Sequence, residues 1–127
     1  MEFNKKISKQ FDRVVRDMEA YNTAGYEEFL SFLDNVSTFN NRTFGNFTLE
    51  EKANSLVKHI RSECDEIEEN PTDLDEWIDV VILAMDALLR KEEPEQILLR
   101  WARKMSNNAS RDWPEPTADK PMFHIKD

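Results

Sequence analysis

The sequence predicts an all-α fold of about five helices. Apolar residues recur at the three- and four-residue spacing of amphipathic helices in several stretches of the chain. Only two glycines occur among 127 residues, and hydrophobic residues make up 39%, which favours helices over a turn-rich β fold. A chain of this length corresponds to one domain with a modest core.

The first two helices are predicted from their apolar stripes. The first helix ends before Gly25, and its stripe consists of Phe3, Ile7, Phe11, Val14, Val15 and Met18. A short second helix is predicted over residues 26–36, with a buried stripe formed by Phe29, Leu30 and Leu33. Residues 37–47 are polar, rich in asparagine and include Gly45, which predicts a loop.

The third and fourth helices are predicted from capping signals. Thr48 followed by Glu51 has the pattern of a capping box, so a helix begins there and runs to about residue 69. An Asn-Pro pair stops it, and Thr72 or Asp73 caps the fourth helix, which continues to about residue 91. Because the connection is short, we expect the two helices to fold back as an antiparallel hairpin.

The fourth helix is apolar most of the way round, which is typical of a central helix. Trp77 and Trp101 are expected in the core, and Cys64 is expected to be a small buried residue. Pro94 suits the first turn of a fifth helix that ends near Ala109. The prolines beyond it predict an extended tail that packs over the body or onto a partner subunit; they are Pro114, Pro116 and Pro121.

Composition argues against several classes of protein. The chain has 26 acidic and 17 basic residues and a formal charge of −9, which disfavours nucleic acid as a partner. A single cysteine excludes an internal disulfide framework. No apolar signal region follows the N-terminus, and the longest apolar run, residues 80–85, is too short to span a bilayer. We therefore expect a cytoplasmic protein without a membrane partner.

Two pairs of acids are the most informative feature of the chain. Glu63 and Glu66 form one pair, Glu76 and Asp79 form the other, and each pair has the i, i+3 spacing that places two side chains on one helical face. The predicted hairpin would turn the pairs towards each other. Four clustered carboxylates repel one another without cations, and Mg²⁺ accepts a shell of carboxylate, water and phosphate oxygens. The pattern predicts a metal site for a phosphate-bearing ligand.

A second feature lies on the fifth helix. Lys104, Asn108 and Arg111, here called the basic strip, are spaced i, i+4 and i+7 and share one face. An acidic metal site beside a basic strip suits a triphosphate, because the cations would neutralise the remaining phosphate oxygens and the charge of the leaving pyrophosphate. The plainer interpretation is an ordinary exposed strip.

Other residues near the acids have two interpretations as well. His59 lies one turn before Glu63 and could touch phosphate or a carboxylate, but a surface or packing role is the simpler assignment. Asp86 follows Asp79 by two helical turns and could support a metal ligand or pack elsewhere. The acid pairs themselves could form a solvated face, since 34% of the residues are charged.

Several separated motifs resemble the all-α nucleoside triphosphate pyrophosphohydrolases, the MazG-like and dimeric dUTPase group. Glu63-x-x-Glu66 followed by Glu76-x-x-Asp79 is similar to the metal-binding signature of that group. More narrowly, the runs HIRSE (59–63), DEWIDVVILAMD (75–86) and TAD (117–119), together with the pattern KxxxNxxRxWP (104–114), resemble the MazG-like dATP/dGTP diphosphohydrolase branch, which is frequent in phages and prophages.

The resemblance covers about residues 44–124. It implies a catalytic domain over residues 44–127, preceded by a helical extension over residues 1–43, in one compact unit. It also implies a MazG-like bundle completed by oligomerisation, as a homodimer or homotetramer. The breadth of the apolar surface points to the same association. A phage-encoded enzyme would work in the cytoplasm of its host.

The implied reaction is hydrolysis of a nucleoside triphosphate, with dGTP and dATP as expected substrates, to the monophosphate and pyrophosphate. The four paired acids would hold Mg²⁺, for which Mn²⁺ could substitute, and Glu63 or Glu66 would also orient or deprotonate water. The basic strip would contact phosphate oxygens.

Three other functions are alternatives to this one. A carboxylate-bridged di-iron protein needs Glu-x-x-His motifs, and no histidine lies three residues after a glutamate in this chain. A dUTPase-like or housecleaning pyrophosphohydrolase of the same superfamily stays open. A non-catalytic acidic interaction protein would bind its partner without a divalent metal, so metal dependence separates it from the enzyme.

Overall fold

The computed structural model of the protein describes residues 2–20 and 24–126 and contains helices but no strand in those ranges. The five helices are α1 (Glu2–Ala20), α2 (Ala24–Phe44), α3 (Leu49–Glu69), α4 (Leu74–Leu89) and α5 (Pro94–Ser110). The all-α prediction is therefore confirmed. The side chains of Val14, Val15 and Met18, predicted in the stripe of the first helix, lie outside the described residues.

The chain divides into two compact units. Unit 1 comprises Met1–Asn22 and Leu98–Asp127, and unit 2 comprises Thr23–Ile97. In unit 1, the Ser8 hydroxyl donates to the Ser106 carbonyl at 3.0 Å, and the Ser106 hydroxyl donates to Asp12 Oδ1 at 2.5 Å. These bonds connect α1 to the C-terminal part of α5.

The tail after α5 is not helical, as its prolines predict. It folds back on itself, because the Ile125 amide donates to the Asp112 carbonyl at 2.8 Å. The rings of Trp113 and His124 meet edge to face, with their centroids 6.1 Å apart. The tail thus forms a closed turn within unit 1.

In unit 2, α4 packs against α3 and also contacts α2. The predicted capping box begins α3: the Thr48 hydroxyl accepts from the Glu51 amide at 3.2 Å, and Glu51 Oε1 accepts from the Thr48 amide at 3.1 Å. Of the two candidate caps for α4, Asp73 is the one used, because its Oδ1 accepts from the Asp75 amide at 3.0 Å. These caps satisfy amide groups that the first helical turn leaves unpaired.

The predicted loop at residues 37–47 is wrong for most of its length, since α2 continues to Phe44. The helix stops at Gly45, whose φ of 97° is the left-handed conformation that glycine adopts without strain. The Gly45 amide still donates to the Asn41 carbonyl at 3.1 Å, and a Cβ at position 45 would collide with the Phe47 ring. The connection to α3 is therefore only residues 45–48.

A buried ion pair between Arg90 and Asp86 holds this connection in place. We call the pair, together with the bonds from Arg90 to the connection, the Arg90 clamp. Arg90 Nη1 donates to the carbonyls of Gly45 and Phe47 at 2.8 and 2.9 Å. Arg90 Nε lies 3.1 Å from Asp86 Oδ1, and both side chains are almost fully buried. The clamp joins the end of α4 to the loop that precedes α3.

The buried apolar core is small. Its members are Leu33, Leu56, Leu83 and Ile97 in unit 2, and Leu99 and Ala102 in unit 1. Of the stripe predicted for α2, Leu33 is buried, Leu30 is half-buried and Phe29 is exposed. Among the residues whose burial the structure describes, each unit thus buries few large side chains.

Besides Phe29, three further residues predicted to be buried are exposed in the structure. Trp77 and Trp101 are 51% and 54% exposed, and Cys64 is also exposed. Trp77 has a local role, since its Nε1 donates to the Pro71 carbonyl at 2.9 Å and braces the α3–α4 turn. Trp101 lies on α5 and Cys64 on α3, and for both residues apolar character alone did not indicate burial.

The two sides of α4 differ in character. Glu76, Asp79, Leu83, Asp86 and Arg90 follow one another along the side that faces the hairpin and the Arg90 clamp. The opposite side, here called the outer face of α4, is apolar and exposed; its members are Leu74, Trp77, Ile78, Val81 and Leu88. The all-round apolar pattern of α4 therefore does not place every side of it in the core of one chain. No helix in the described ranges is both long and apolar enough to cross a membrane.

Candidate metal centre

The α3–α4 hairpin brings both acid pairs to one place. Glu63, Glu66, Glu76 and Asp79 each offer a carboxylate oxygen, and these oxygens all lie within 4.8 Å of one another. Glu66 is exposed, while the other three are half-buried. The juxtaposition predicted from the two i, i+3 spacings is present in the structure.

The turn between the helices sets this geometry. The Asn70 amide donates to the carbonyls of Glu66 and Ile67, each at 3.1 Å, and so closes the last turn of α3. The Asp73 amide donates to the Asn70 carbonyl at 3.1 Å, and α4 begins immediately afterwards. Because the turn spans only residues 70–73, the acids near the end of α3 lie beside those in the first turns of α4.

The carboxyl group of Glu63 resists ionisation. A hydrogen bond to the Glu66 carboxyl group raises the Glu63 pKa, and burial and the negative charges of Glu66 and Asp79 add to this effect. His59 acts in the opposite direction, with its Nε2 3.2 Å from Glu63 Oε1. The histidine predicted to lie one turn before Glu63 therefore contacts this acid.

Glu76 behaves similarly for a different main reason. Burial raises its pKa most, followed by a hydrogen bond to Glu66 and the charges of Glu66, Asp73 and Asp79. Glu66 thus connects an acid of its own helix with an acid of α4. Full ionisation of the four acids is therefore unfavourable unless a cation is bound.

The four acids fit a divalent ion. One oxygen each of Glu63 and Glu76, Oε2 in both, is buried and has no hydrogen-bond partner among the residues that the structure describes. Mg²⁺ holds its ligands at about 2.1 Å, so opposite ligand oxygens lie about 4.2 Å apart, close to the spread of this cluster. All-oxygen donors and unpaired buried carboxylate atoms are the chemistry that a hard cation requires.

A cavity of about 260 Å³ adjoins the cluster within unit 2, and Glu63 and Asp79 form part of its wall. Its other lining residues come from α2, α3 and α4: Asn40, Phe44, Lys52, Ser55, Leu56, His59, Ile82, Leu83 and Asp86. Asp86, predicted as a possible support for a metal ligand, is instead paired with Arg90 and reaches the cavity wall.

Sequence reasoning missed Asn40, because the residue falls in the stretch assigned to a loop. In the structure it is 2% exposed, and its amide nitrogen has no hydrogen-bond partner among the described residues. The available signal was Gly45, a helix-stop residue that would have extended α2 to include Asn40.

The basic strip belongs to unit 1, whereas the four acids belong to unit 2. Lys104 is exposed, and Asn108 and Arg111 are half-buried. Arg111 Nη1 donates to Asn108 Oδ1 at 3.3 Å, and Trp113 Nε1 donates to the Asn108 carbonyl at 2.7 Å. Asn108 and Arg111 therefore contact each other, while the role of the strip towards phosphate stays a prediction.

Comparison with known proteins assigns the chain to a family. The profile of the dATP/dGTP pyrophosphohydrolase family matches residues 32–127, a range that contains both acid pairs, Asn40 and the basic strip. No curated protein and no solved structure matches the chain.

Proposed function

This chain belongs to the dATP/dGTP pyrophosphohydrolase family, and from that premise we propose that it hydrolyses dATP and dGTP, with Mg²⁺, to the monophosphate and pyrophosphate. The observation that carries the metal requirement is the set of four carboxylates gathered within 4.8 Å on one hairpin. Within this proposal, residues 44–127 carry the four acids and the basic strip, and residues 1–43 form a helical extension that also contributes Asn40 to the cavity wall. Free nucleotides are cytoplasmic substrates, and a cytoplasmic location fits them.

The four acids have defined roles in this proposal. Glu63, Glu66, Glu76 and Asp79 hold Mg²⁺, and Mn²⁺ can replace it. When bound, the cation neutralises charge on the phosphate oxygens and makes water a better nucleophile. Glu63 or Glu66 takes the proton of the attacking water, whose oxygen bonds to the α-phosphorus. The bond from the α-phosphorus to the bridging oxygen breaks, and pyrophosphate leaves with both bonding electrons.

The basic strip is assigned to the phosphate end of the substrate. Lys104 and Arg111 supply positive charge, and Asn108, which accepts from Arg111, orients it. Loss of one such contact should lower kcat/KM by roughly one to two orders of magnitude for every triphosphate alike. Arg111→Ala tests this assignment, with Lys58→Ala, an exposed position on α3, as the control. A change in base preference would instead place Arg111 at the base.

A product assay tests the function as a whole. The protein is incubated with Mg²⁺ and a panel of ribo- and deoxynucleoside triphosphates, and the products are identified. The proposal expects pyrophosphate and the monophosphate, most rapidly from dATP and dGTP, and no turnover in EDTA. Formation of a diphosphate and phosphate, or turnover that survives EDTA, would contradict it.

The panel also separates the remaining candidates. Preference for dUTP would favour the dUTPase-like alternative, and preference for a damaged nucleotide would favour a housecleaning enzyme. Absence of turnover with every nucleotide, with or without metal, would favour a non-catalytic acidic interaction protein.

We further propose that the enzyme is a homodimer or homotetramer. The outer face of α4 supports this, because five large apolar side chains are exposed along one side of a helix whose other side carries the acids. Contiguous apolar surface of this kind is typical of subunit interfaces.

A further inference from the structure

The cavity beside the acid cluster is where the nucleoside of a bound triphosphate would lie. Glu63 and Asp79 belong both to the cluster and to the cavity wall, so phosphates held at the cluster continue directly into the cavity. Phe44, Leu56 and Leu83 give the rest of the wall a mainly apolar surface, and polar side chains such as Lys52 and Ser55 also line it. Apolar surface combined with placed polar groups is the usual form of a small-molecule pocket. This step rests on the proposed function.

Asn40 contributes to that wall a buried hydrogen-bond donor without a partner among the described residues. It is 2% exposed, and its amide nitrogen donates to no described residue. A buried donor left unpaired is unfavourable by an amount that an acceptor on a ligand would recover. The side chains of Leu56, Ile82 and Leu83 in the same wall have no acceptor atoms, and the Asp86 carboxylate there is paired with Arg90. The unpaired donor therefore calls for a ligand atom that accepts a hydrogen bond.

We propose that the Asn40 amide nitrogen donates a hydrogen bond to N7 of a purine base. Three positions on the bases are candidates for this contact. At position 6, guanine presents an acceptor and adenine a donor, so a fixed donor there would reject adenine. On the minor-groove edge every base presents an acceptor, so a donor there would not distinguish purines from pyrimidines. N7 is an acceptor on both adenine and guanine and has no counterpart in the pyrimidine ring.

This contact explains how one pocket can take both dATP and dGTP while excluding dCTP and dTTP. The donor recognises an atom that the two purines share, and it ignores the exocyclic group by which they differ. Asn40 is thus a specificity residue that touches the base, separate from the acids that act at the phosphates.

The test removes the same hydrogen bond from either side. 7-Deaza-dATP and 7-deaza-dGTP carry CH in place of N7, and Asn40→Leu removes the donor with little change in volume. For the wild-type protein we expect kcat/KM to fall roughly 5- to 100-fold with each 7-deaza analogue. In Asn40→Leu, dATP should fall by a similar factor, and the 7-deaza analogue should then be hydrolysed as fast as dATP.

Three controls accompany the test. Asn35→Leu changes an exposed asparagine of the same helix and should keep the wild-type preference for N7. 3-Deaza-dATP should be hydrolysed at the rate of dATP by the wild-type protein. Thermal unfolding checks that Asn40→Leu folds, and the analogues applied to the wild-type protein need no variant at all.

Equal rates for dATP and 7-deaza-dATP in the wild-type protein would overturn the role of Asn40, as would a penalty that persists in Asn40→Leu. Sensitivity to 3-deaza-dATP instead would place the contact on the other edge of the base and refute the assignment to N7. Nucleotide binding is measured on the same samples in the presence of Mg²⁺. The measure of binding is the rise in Tm that each nucleotide causes. If no nucleotide is hydrolysed, the proposed function fails, while a larger rise with dATP than with 7-deaza-dATP still supports the Asn40 contact and equal rises refute it.

Discussion

Glu66 is the residue that makes one site out of two acid pairs. Its carboxyl group forms hydrogen bonds with Glu63 on the same helix and with Glu76 on α4, and both interactions raise the pKa of the neighbour. Such contacts between acids are favourable only when a proton or a cation lies between them. The local arrangement is therefore suited to holding positive charge.

The first prediction concerns the loss of one acid. Glu63→Gln or Asp79→Asn should lower Mg²⁺-dependent release of pyrophosphate about 100-fold or more, because a divalent ion supplies several kcal/mol of transition-state stabilisation. The thermal stability measured in EDTA should stay level or rise, since the change relieves repulsion among the acids. Glu68→Gln, an exposed acid of α3 outside the cluster, is the control. Normal turnover, or an unfolded variant, would refute the assignment.

The second prediction concerns pH in the absence of metal. Glu63 and Glu76 have pKa values above the ordinary 4.5, so the folded state binds more protons than the unfolded state from about pH 4.5 up to the raised values. The stability that these groups contribute is present below pH 4.5 and is lost as the pH rises through their folded pKa values. In EDTA, the Tm of the wild-type protein should fall across this window relative to a Glu63→Gln/Glu76→Gln variant.

Adding Mg²⁺ at neutral pH should raise the Tm of the wild-type protein, because the ion binds the folded state. The double variant should respond much less. Parallel pH profiles for the two proteins in EDTA would show that these acids do not titrate as described.

At this scale the site acids could be predicted and Asn40 could not. The acids can be identified from their residue type and from their i, i+3 spacing, which places both members of a pair on one face of a helix. Asn40 carries no such pattern, and its importance arises from the walls that α3 and α4 build around it. The prediction that Cys64 is buried was wrong for another reason. A small apolar side chain is compatible with burial but does not require it.

Among the helices, α2 extends through residues whose intrinsic helix propensity is low. Asparagine and threonine between residues 38 and 43 disfavour a helix, yet α2 continues through them. Tertiary packing helps to supply the difference, because Asn40 is buried in the wall of the cavity. Within the helix itself, the rings of Phe39 and Phe44 meet edge to face, with their centroids 6.0 Å apart. The capping signals of α3 and α4 were predicted correctly because they depend on neighbouring residues alone.

The third prediction addresses the Arg90 clamp. Arg90→Met leaves Asp86 as a buried charge without its partner and removes the donors to the carbonyls of Gly45 and Phe47. Breaking a buried pair in this way should lower the free energy of unfolding by about 3–5 kcal/mol. Chemical denaturation measures the loss.

Lys91→Met is the matched control for this variant. Lys91 is the next residue, and its ion pair with Glu50 is exposed, so its loss should have little effect on stability. Equal destabilisation by the two variants would show that the clamp contributes no more than a surface pair.

In the whole molecule, α4 serves two surfaces at once. One side carries the acids and the Arg90 clamp, and the outer face presents apolar side chains to solvent. This exposed face is the observation on which the proposed association of subunits rests.

The fourth prediction tests this association. Val81, 54% exposed on the outer face, becomes charged in Val81→Glu, which is incompatible with an apolar interface. Sedimentation should show a dimer or tetramer for the wild-type protein and a smaller species for the variant at micromolar concentration, with unchanged helix content. Glu69→Lys, an exposed change at the end of α3, should leave the assembly intact. A fully active wild-type monomer would contradict the proposal.

The exposed position of Cys64 has a practical consequence. It is the only cysteine in the chain, and it follows Glu63 directly, so a thiol-reactive fluorophore attaches at one known place next to the acid cluster. The label needs no engineered residue and leaves all four acids unchanged. Quenching by Mn²⁺, which is paramagnetic, would then report occupancy of the cluster in real time, and competition with Mg²⁺ would give the affinity of the spectroscopically silent ion.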